Sequence, residues 1–134
     1  GIKKSKSVIS YTNHEPVGPT TLDLTQYTDL EYVNVMDSYS KPAVLTSLNV
    51  SGLSKLALLY VGGTPEVNIA NCPLLTTCIS NYGTYDSGFY WSGSSSSQTI
   101  IVESEAKRDQ LKASWKKVMG YDEENPANAW TIQQ

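Results

Sequence analysis

The segment Leu48-Asn-Val-Ser-Gly-Leu-Ser-Lys-Leu-Ala-Leu-Leu-Tyr-Val61 contains the pattern from which the architecture of this chain can be predicted. Its apolar residues follow the pattern L-x-V-x5-L-x-x-L-x-V, which alternates with a period of two at both ends. Alternation of this kind predicts a short strand with one buried face. The stretch therefore predicts two short strands separated by a turn.

The same apolar pattern occurs on both sides of this stretch. It appears earlier in the chain, from Leu22 to Val35, and again later, from Val67 to Cys78 and Ser80. The number of residues between equivalent apolar positions is the same throughout the first two units. It is again constant, but smaller, between the second and third units. A fixed internal spacing with variable connections predicts stacked units, each too small to bury its own apolar face. The longer connection falls near residues 36–44, which we interpret as an inserted loop.

A different pattern follows the repeated units. Residues 99–103 predict a further strand, and Ser104 can cap a helix ending at about Met119. The helix carries an apolar stripe of Leu111, Trp115, Val118 and Met119. We therefore predict a mostly β protein with one C-terminal helix, built as a short leucine-rich-repeat solenoid of about three coils with a strand–helix cap. Its predicted parts are an irregular N-terminal segment (1–20), the coils (21–91) and a C-terminal cap with a tail (92–134).

Two segments carry a family resemblance. Leu45-Thr-Ser-Leu-Asn-Val-Ser-Gly52 and Ala70-Asn-Cys-Pro-Leu-Leu-Thr-Thr-Cys78 resemble the leucine-rich repeats of bacterial cell-surface proteins, including internalin-like ones. The resemblance covers about 60 residues, and the turn asparagine of that family is missing after Val35 and Val61. It implies a bacterial surface or exported protein, such as a surface lipoprotein, that binds a partner. No export signal is visible in this sequence.

Composition excludes several classes of function. The net charge is −3 and the pI is near 5.0, which is not the basic footprint of a nucleic-acid-binding protein. No apolar run approaches the roughly 18 residues that span a bilayer. The two cysteines, Cys72 and Cys78, are too few for a disulfide scaffold. We interpret them as buried thiols, and the sequence leaves open whether they pair.

Residues that could carry catalysis or hold a metal are sparse. His14 is the only histidine, and no nucleophile stands at a recognisable spacing from it. Glu103, Glu105 and Asp109 lie at the start of the predicted helix, where acidic residues stabilise the macrodipole. We therefore expect no enzyme activity, no catalytic residues, no cofactor and no metal site.

Outward positions of the second strand in each unit form two columns. One column contains Tyr32, Leu58 and Thr77, and the next contains Asn34, Tyr60 and Ile79. Adjacent apolar side chains on an exposed strand face are typical of an interaction site. The alternative is that another part of the chain, or a neighbouring chain, covers this face. The candidate partner-binding residues are Tyr32, Asn34, Leu58, Tyr60 and Ile79, and the partner is a protein of unknown identity.

A second candidate site lies in the aromatic segment Tyr82–Trp91. Five of its ten residues are aromatic, and planar rings suit both protein contacts and sugar faces. The alternative function is therefore carbohydrate binding through Tyr82, Tyr85 and Trp91. The structural interpretation is that most of these rings close the core.

Overall fold

The computed structural model describes residues 8–10, 21–35, 45–62, 64–80, 85–91, 98–119 and 128–133. These residues form short strands and one helix, so the prediction of a mostly β protein with a single helix is confirmed for the described part of the chain. The elements are β1 (Val8–Ser10), β2 (Thr21–Asp23), β3 (Tyr32–Val35), β4 (Ser47–Asn49), β5 (Leu58–Val61), β6 (Glu66–Asn68), β7 (Gly88–Trp91), β8 (Gln98–Val102), α1 (Glu105–Met119) and β9 (Asn128–Ile132).

The strands form two parallel sheets. Sheet 1 has the order β1-β3-β5-β7, and sheet 2 has the order β2-β4-β6-β8-β9. Successive strands from β1 to β8 therefore alternate between the sheets, and each pairs with the strand two elements earlier. Since all ladders are parallel, equivalent ends of every circuit lie at the same edge of the stack.

The register of the ladders follows the spacing of the sequence. In sheet 1, Val33 pairs with Leu59, its counterpart in the next unit. In sheet 2, Leu48 pairs with Leu22 at the same shift along the chain and with Val67 at the shorter shift. Apolar side chains therefore stand beside apolar side chains, and their inward faces meet between the sheets.

The core between the sheets is aliphatic in the middle and aromatic at its C-terminal end. The aliphatic part consists of fully buried side chains that repeat from circuit to circuit, each stabilising the fold by about 1.5–3 kcal/mol through burial. Its members include Leu30, Val33, Leu48, Val50, Leu53, Leu56, Leu59, Val67, Ile69 and Leu75. The aromatic part is formed by Phe89, Trp91 and Trp115.

A ladder of side-chain caps follows the strands of sheet 2, and the sequence analysis did not identify it. Asp23, Asn49 and Asn68 each accept the backbone N–H of the residue two positions later, at 2.9, 3.0 and 3.0 Å. These Asx turns satisfy backbone donors where the chain leaves the sheet. The family resemblance implied turn asparagines after the strands of sheet 1, but the caps are the last residues of the strands of sheet 2.

The third unit departs from the prediction in sheet 1. We expected residues 78–80 to pair with β5, but β7 takes that place, with Leu59 beside Phe89. The segment 77–79 lies on the other side of β7, where Phe89 N–H donates to Thr77 O (2.9 Å) and Ile79 N–H donates to Phe89 O (3.1 Å). The large rings of Phe89 and Trp91 fill more of the core than Cys78 could, which explains why β7 occupies the inner position.

Strand β1 is a second departure, because it lies within the segment 1–20 that we predicted to be irregular. Val8 pairs with Tyr32 and Ser10 with Asn34. Sheet 1 therefore extends one strand beyond the predicted coils. The remainder of that segment and His14 lie outside the described residues.

Helix α1 covers the last circuit. The Ser104 hydroxyl accepts the N–H of Lys107 at 3.1 Å, which is the N-cap that the sequence predicted. Leu111 and Trp115 are buried, but Val118 is 41% exposed, so the buried part of the predicted stripe does not include Val118. Among the described residues, no helix is long and apolar enough to cross a membrane.

Polar contacts fix the helix against the turn of the third circuit. The buried Lys107 Nζ donates to Cys72 O at 2.9 Å and lies 4.0 Å from Glu103 Oε2. The other oxygen of Glu103 accepts the N–H of Asn71 at 3.1 Å. Two turns further along the helix, Ser114 Oγ accepts the N–H of Cys78 at 2.7 Å, so α1 also protects the edge of the segment 77–79.

Both cysteines are free and buried. Burial raises the pKa of Cys72 to about 11 and the pKa of Cys78 to about 12. The thiolate is the reactive form, so at pH 8 only on the order of 10⁻³ of Cys72 and 10⁻⁴ of Cys78 is ionised.

We therefore expect neither thiol to react with Ellman's reagent in the native protein at pH 8. In 6 M guanidinium chloride, a concentration of roughly the size needed to unfold even stable domains, both should react within seconds. Counting released thiolate against time tests this, and a Cys78→Ala variant assigns the signal to Cys72. Labelling of the native chain as fast as the unfolded chain would contradict the burial of these side chains.

Candidate binding surface

The outward side of sheet 1 brings together four of the five predicted partner-binding residues. Tyr32, Asn34, Leu58 and Tyr60 alternate with buried neighbours on β3 and β5, and all four are half-buried. Asn34 pairs with Tyr60 across the ladder, and Tyr32 pairs with Leu58. With Tyr90 of β7, which pairs with Tyr60, these side chains form what we call the tyrosine face.

Three tyrosine rings form a row across the strands of this face. The Tyr32 and Tyr60 centroids are 6.2 Å apart at an interplanar angle of 67°, and those of Tyr60 and Tyr90 are 6.1 Å apart at 43°. These are edge-to-face and tilted arrangements, which the ring quadrupole favours. Because the rings are inclined to each other, the row is a ridged surface and not a flat platform.

The tyrosine face is uncharged but not purely apolar. The Asn34 side-chain amide donates to the Tyr32 hydroxyl at 3.4 Å. Desolvation raises the pKa of Tyr60 above its usual value, and the nearby Tyr32 and Tyr85 hydroxyls add to this effect. Tyr60 therefore stays neutral at physiological pH, and the face offers ring surface with neutral hydroxyl and amide groups.

Sheet 2 presents a different outward surface. Its exposed or half-buried side chains are polar or acidic over the first three strands, at Thr21, Asp23, Ser47, Asn49, Glu66 and Asn68. Aromatic enrichment with few charges is the composition of protein interface cores. Of the two outward surfaces, the tyrosine face fits that composition.

Ile79 is not part of the exposed tyrosine face, and the prediction that its side chain is exposed is wrong. Its side chain is only 4% exposed and occupies the space where a Gly88 side chain would lie. Tyr90 takes the place that we assigned to Ile79. The alternation in Gly88-Phe-Tyr-Trp91 indicated an outward position for Tyr90, but we interpreted these residues as part of the aromatic segment.

The aromatic segment is divided between the core and the surface. Trp91, predicted as a glycan contact, is 2% exposed and cannot stack on a sugar. Its ring packs 5.0 Å from Phe89, 6.3 Å from Trp115 and 5.8 Å from Trp130, measured between centroids. Tyr85 is half-buried and its hydroxyl hydrogen-bonds Ser80 at 2.8 Å, while Tyr82 lies outside the described residues.

The titratable side chains of the described residues offer no second candidate site. Within the described ranges, no group of three or more His, Cys, Asp or Glu residues is placed to hold a metal ion. The Lys55–Asp29 pair at 2.8 Å and the Arg108 contacts with Glu105 and Asp109 are surface ion pairs, which contribute little to stability.

Comparisons of the chain with protein-family models, with curated proteins and with solved structures return no match.

Proposed function

We propose that this protein is a non-enzymatic binding module that recognises another protein through the tyrosine face. The observation that carries the proposal is the row of half-buried Tyr32, Tyr60 and Tyr90 on a parallel sheet. Tyrosine combines large contact area with a neutral hydroxyl, and it is enriched among residues that dominate binding energy. The sheet holds the rings on a backbone that is already ordered, so little conformational entropy is lost on binding.

We also propose that the fold is a short leucine-rich-repeat-like solenoid. The agreement between the ladder register and the shifts of the sequence pattern supports this. Turn hydrogen bonds also recur at equivalent positions: Leu30 to Tyr27, Leu56 to Leu53 and Leu75 to Cys72, at 3.1, 3.3 and 3.2 Å. Together with the resemblance of two segments to bacterial surface repeats, this leads us to propose an extracellular or cell-surface location in a bacterium.

Protein binding is favoured over the alternative of carbohydrate binding for two reasons. Trp91, one of the three predicted glycan contacts, is buried in the core. Neighbouring rings of the tyrosine face are inclined to each other by 67° and 43°, so they do not form a coplanar platform on which consecutive sugar units could stack.

Replacing Tyr60 and Tyr32 by serine should abolish partner capture. We expect a loss of more than about 10-fold in the amount of a partner retained from envelope or host-cell extracts, since central aromatic contacts dominate interfaces. The measurement is quantitative mass spectrometry of proteins held by immobilised wild type and by the Tyr32→Ser/Tyr60→Ser variant.

The matched control changes the outward surface of sheet 2, with Glu66→Ser and Thr21→Ser, and should retain the partner. Circular dichroism checks that both variants are folded. An unchanged set of captured proteins would overturn the proposal, and retention on a glycan array that depends on Tyr85 would favour the carbohydrate alternative instead.

A further inference from the structure

Strand β9 forms the C-terminal edge of sheet 2. Gln133 N–H donates to Val102 O at 2.8 Å, which fixes the alternation along this part of the chain. The backbone N–H and C=O groups of residues 129 and 131 therefore also point toward β8. The backbone groups of residues 128, 130 and 132 point away from β8. Asn128, Trp130 and Ile132 thus present backbone donors and acceptors at the edge of the sheet.

Within the described part of the chain, no strand pairs with the outer side of β9, and β9 itself carries none of the residues that protect sheet edges. It is five residues long, Asn-Ala-Trp-Thr-Ile, with neither a charge nor a proline. The opposite edge of sheet 2, β2, is three residues long and carries the exposed Asp23. Short length and charge are the usual protection against strand pairing between chains, so β9 is the less protected edge of this sheet.

Side chains of β9 divide between the core and the solvent. Trp130 and Ile132 pack against the core but are only partly buried, so part of each side chain remains exposed. Ala129 and Thr131 point outward and are exposed. A further strand beside β9 would cover the remaining apolar surface of Trp130 and Ile132.

We propose that β9 pairs antiparallel with β9 of a second copy of this chain, around a twofold axis at Trp130. In this register Trp130 faces its own copy, and Asn128 faces Ile132 of the second copy. The three residues that face the edge are then the hydrogen-bonded pairs of the new ladder, each exchanging two N–H···O=C bonds. The two copies share one continuous sheet, with an isologous interface.

Charge favours a second copy as the occupant. The chain carries a net charge of −3, but β9 contains no charged residue, so two copies can meet at this strand without placing like charges opposite each other. At this edge, Ala129 of one copy lies opposite Thr131 of the other, and neither residue is charged. The strand is therefore complementary to itself, both in its hydrogen bonds and in its charge.

The test uses the exposed pair at positions 129 and 131, where substitutions leave the core intact. Sedimentation equilibrium of the wild type should give twice the monomer mass of 14.7 kDa. Ala129→Lys with Thr131→Lys should give the monomer, because like charges then lie directly opposite each other across the axis. Ala129→Glu with Thr131→Lys should restore the dimer, since opposite charges now face each other.

Each outcome decides the proposal. A wild type that is monomeric at about 100 μM overturns it, as does a dimer that survives A129K/T131K, because the contact then lies elsewhere. If A129K/T131K and A129E/T131K dissociate equally, the register around Trp130 is wrong. This interface lies on sheet 2, away from the tyrosine face, so the result is independent of the proposed function.

Discussion

Replacing Trp91 by alanine should cost about 3–5 kcal/mol in the free energy of unfolding. Trp91 is 2% exposed, and its ring contacts the rings of Phe89, Trp115 and Trp130. These contacts join β7, α1 and β9, so truncation leaves a cavity where three elements meet. Since a domain is stable by only about 5–15 kcal/mol, we expect the variant to be marginally folded.

The chemistry of the indole sharpens this prediction. Trp91 Nε1 is buried and has no hydrogen-bond partner among the described residues, and an unpaired buried donor costs free energy in the native state. Trp91→Phe removes that unpaired donor and keeps most of the ring contacts, so it should cost clearly less than Trp91→Ala.

Urea unfolding followed by far-ultraviolet circular dichroism measures both variants without relying on tryptophan fluorescence. Trp130→Ala is the matched control, because Trp130 is only partly buried and should cost less than Trp91→Ala. If the free energy of unfolding of Trp91→Ala equalled that of the wild type, the ring would lie at the surface. Trp91 would then again be a candidate glycan contact.

Replacing Gly88 by alanine should cost about 2–4 kcal/mol, a large effect for the addition of one methyl group. Gly88 has a φ of +137°, and a Cβ atom there would overlap Ile79 Cγ2. Two penalties therefore add, since the backbone conformation is disfavoured for any L-side chain and the methyl group meets a buried neighbour.

Gly52→Ala separates the two penalties. Gly52 has a φ of +78° and open space around its Cα, so alanine there meets only the backbone cost of about 1 kcal/mol.

The steric part of the Gly88→Ala penalty is tested by Ile79→Ala, which removes the overlapping atoms. In that background Gly88→Ala should cost at least about 1 kcal/mol less than in the wild type. Equal costs in both backgrounds would contradict the contact between these two residues.

The sequence predicted which apolar side chains stand together in the first circuits, because identical spacing imposes identical register. Leu22, Leu48 and Val67 are paired as their shifts require. It also predicted the Ser104 cap, since an N-cap depends only on local chemistry.

The sequence pattern did not show which of two segments, 78–80 or 88–91, pairs with β5, because apolar residues alternate in both. Residues 78–80 fit the spacing of the third unit, and residues 88–91 do not, yet the latter pair with β5. The choice depends on volume in the core and on the missing side chain of Gly88, and neither is visible in a pattern of apolar positions. The same error misplaced Ile79 and hid Tyr90, so one position of the candidate site was assigned to the wrong strand.

Spatial order and chain order differ in the last circuit. As the chain leaves a ribosome, each strand from β3 to β6 finds its neighbour already synthesised. The segment 77–79 does not, because its neighbour in the sheet is Phe89, and its other edge meets Ser114 of α1. The final circuit therefore closes only after the helix has been made, so folding of this end of the core waits for about 40 further residues to be synthesised.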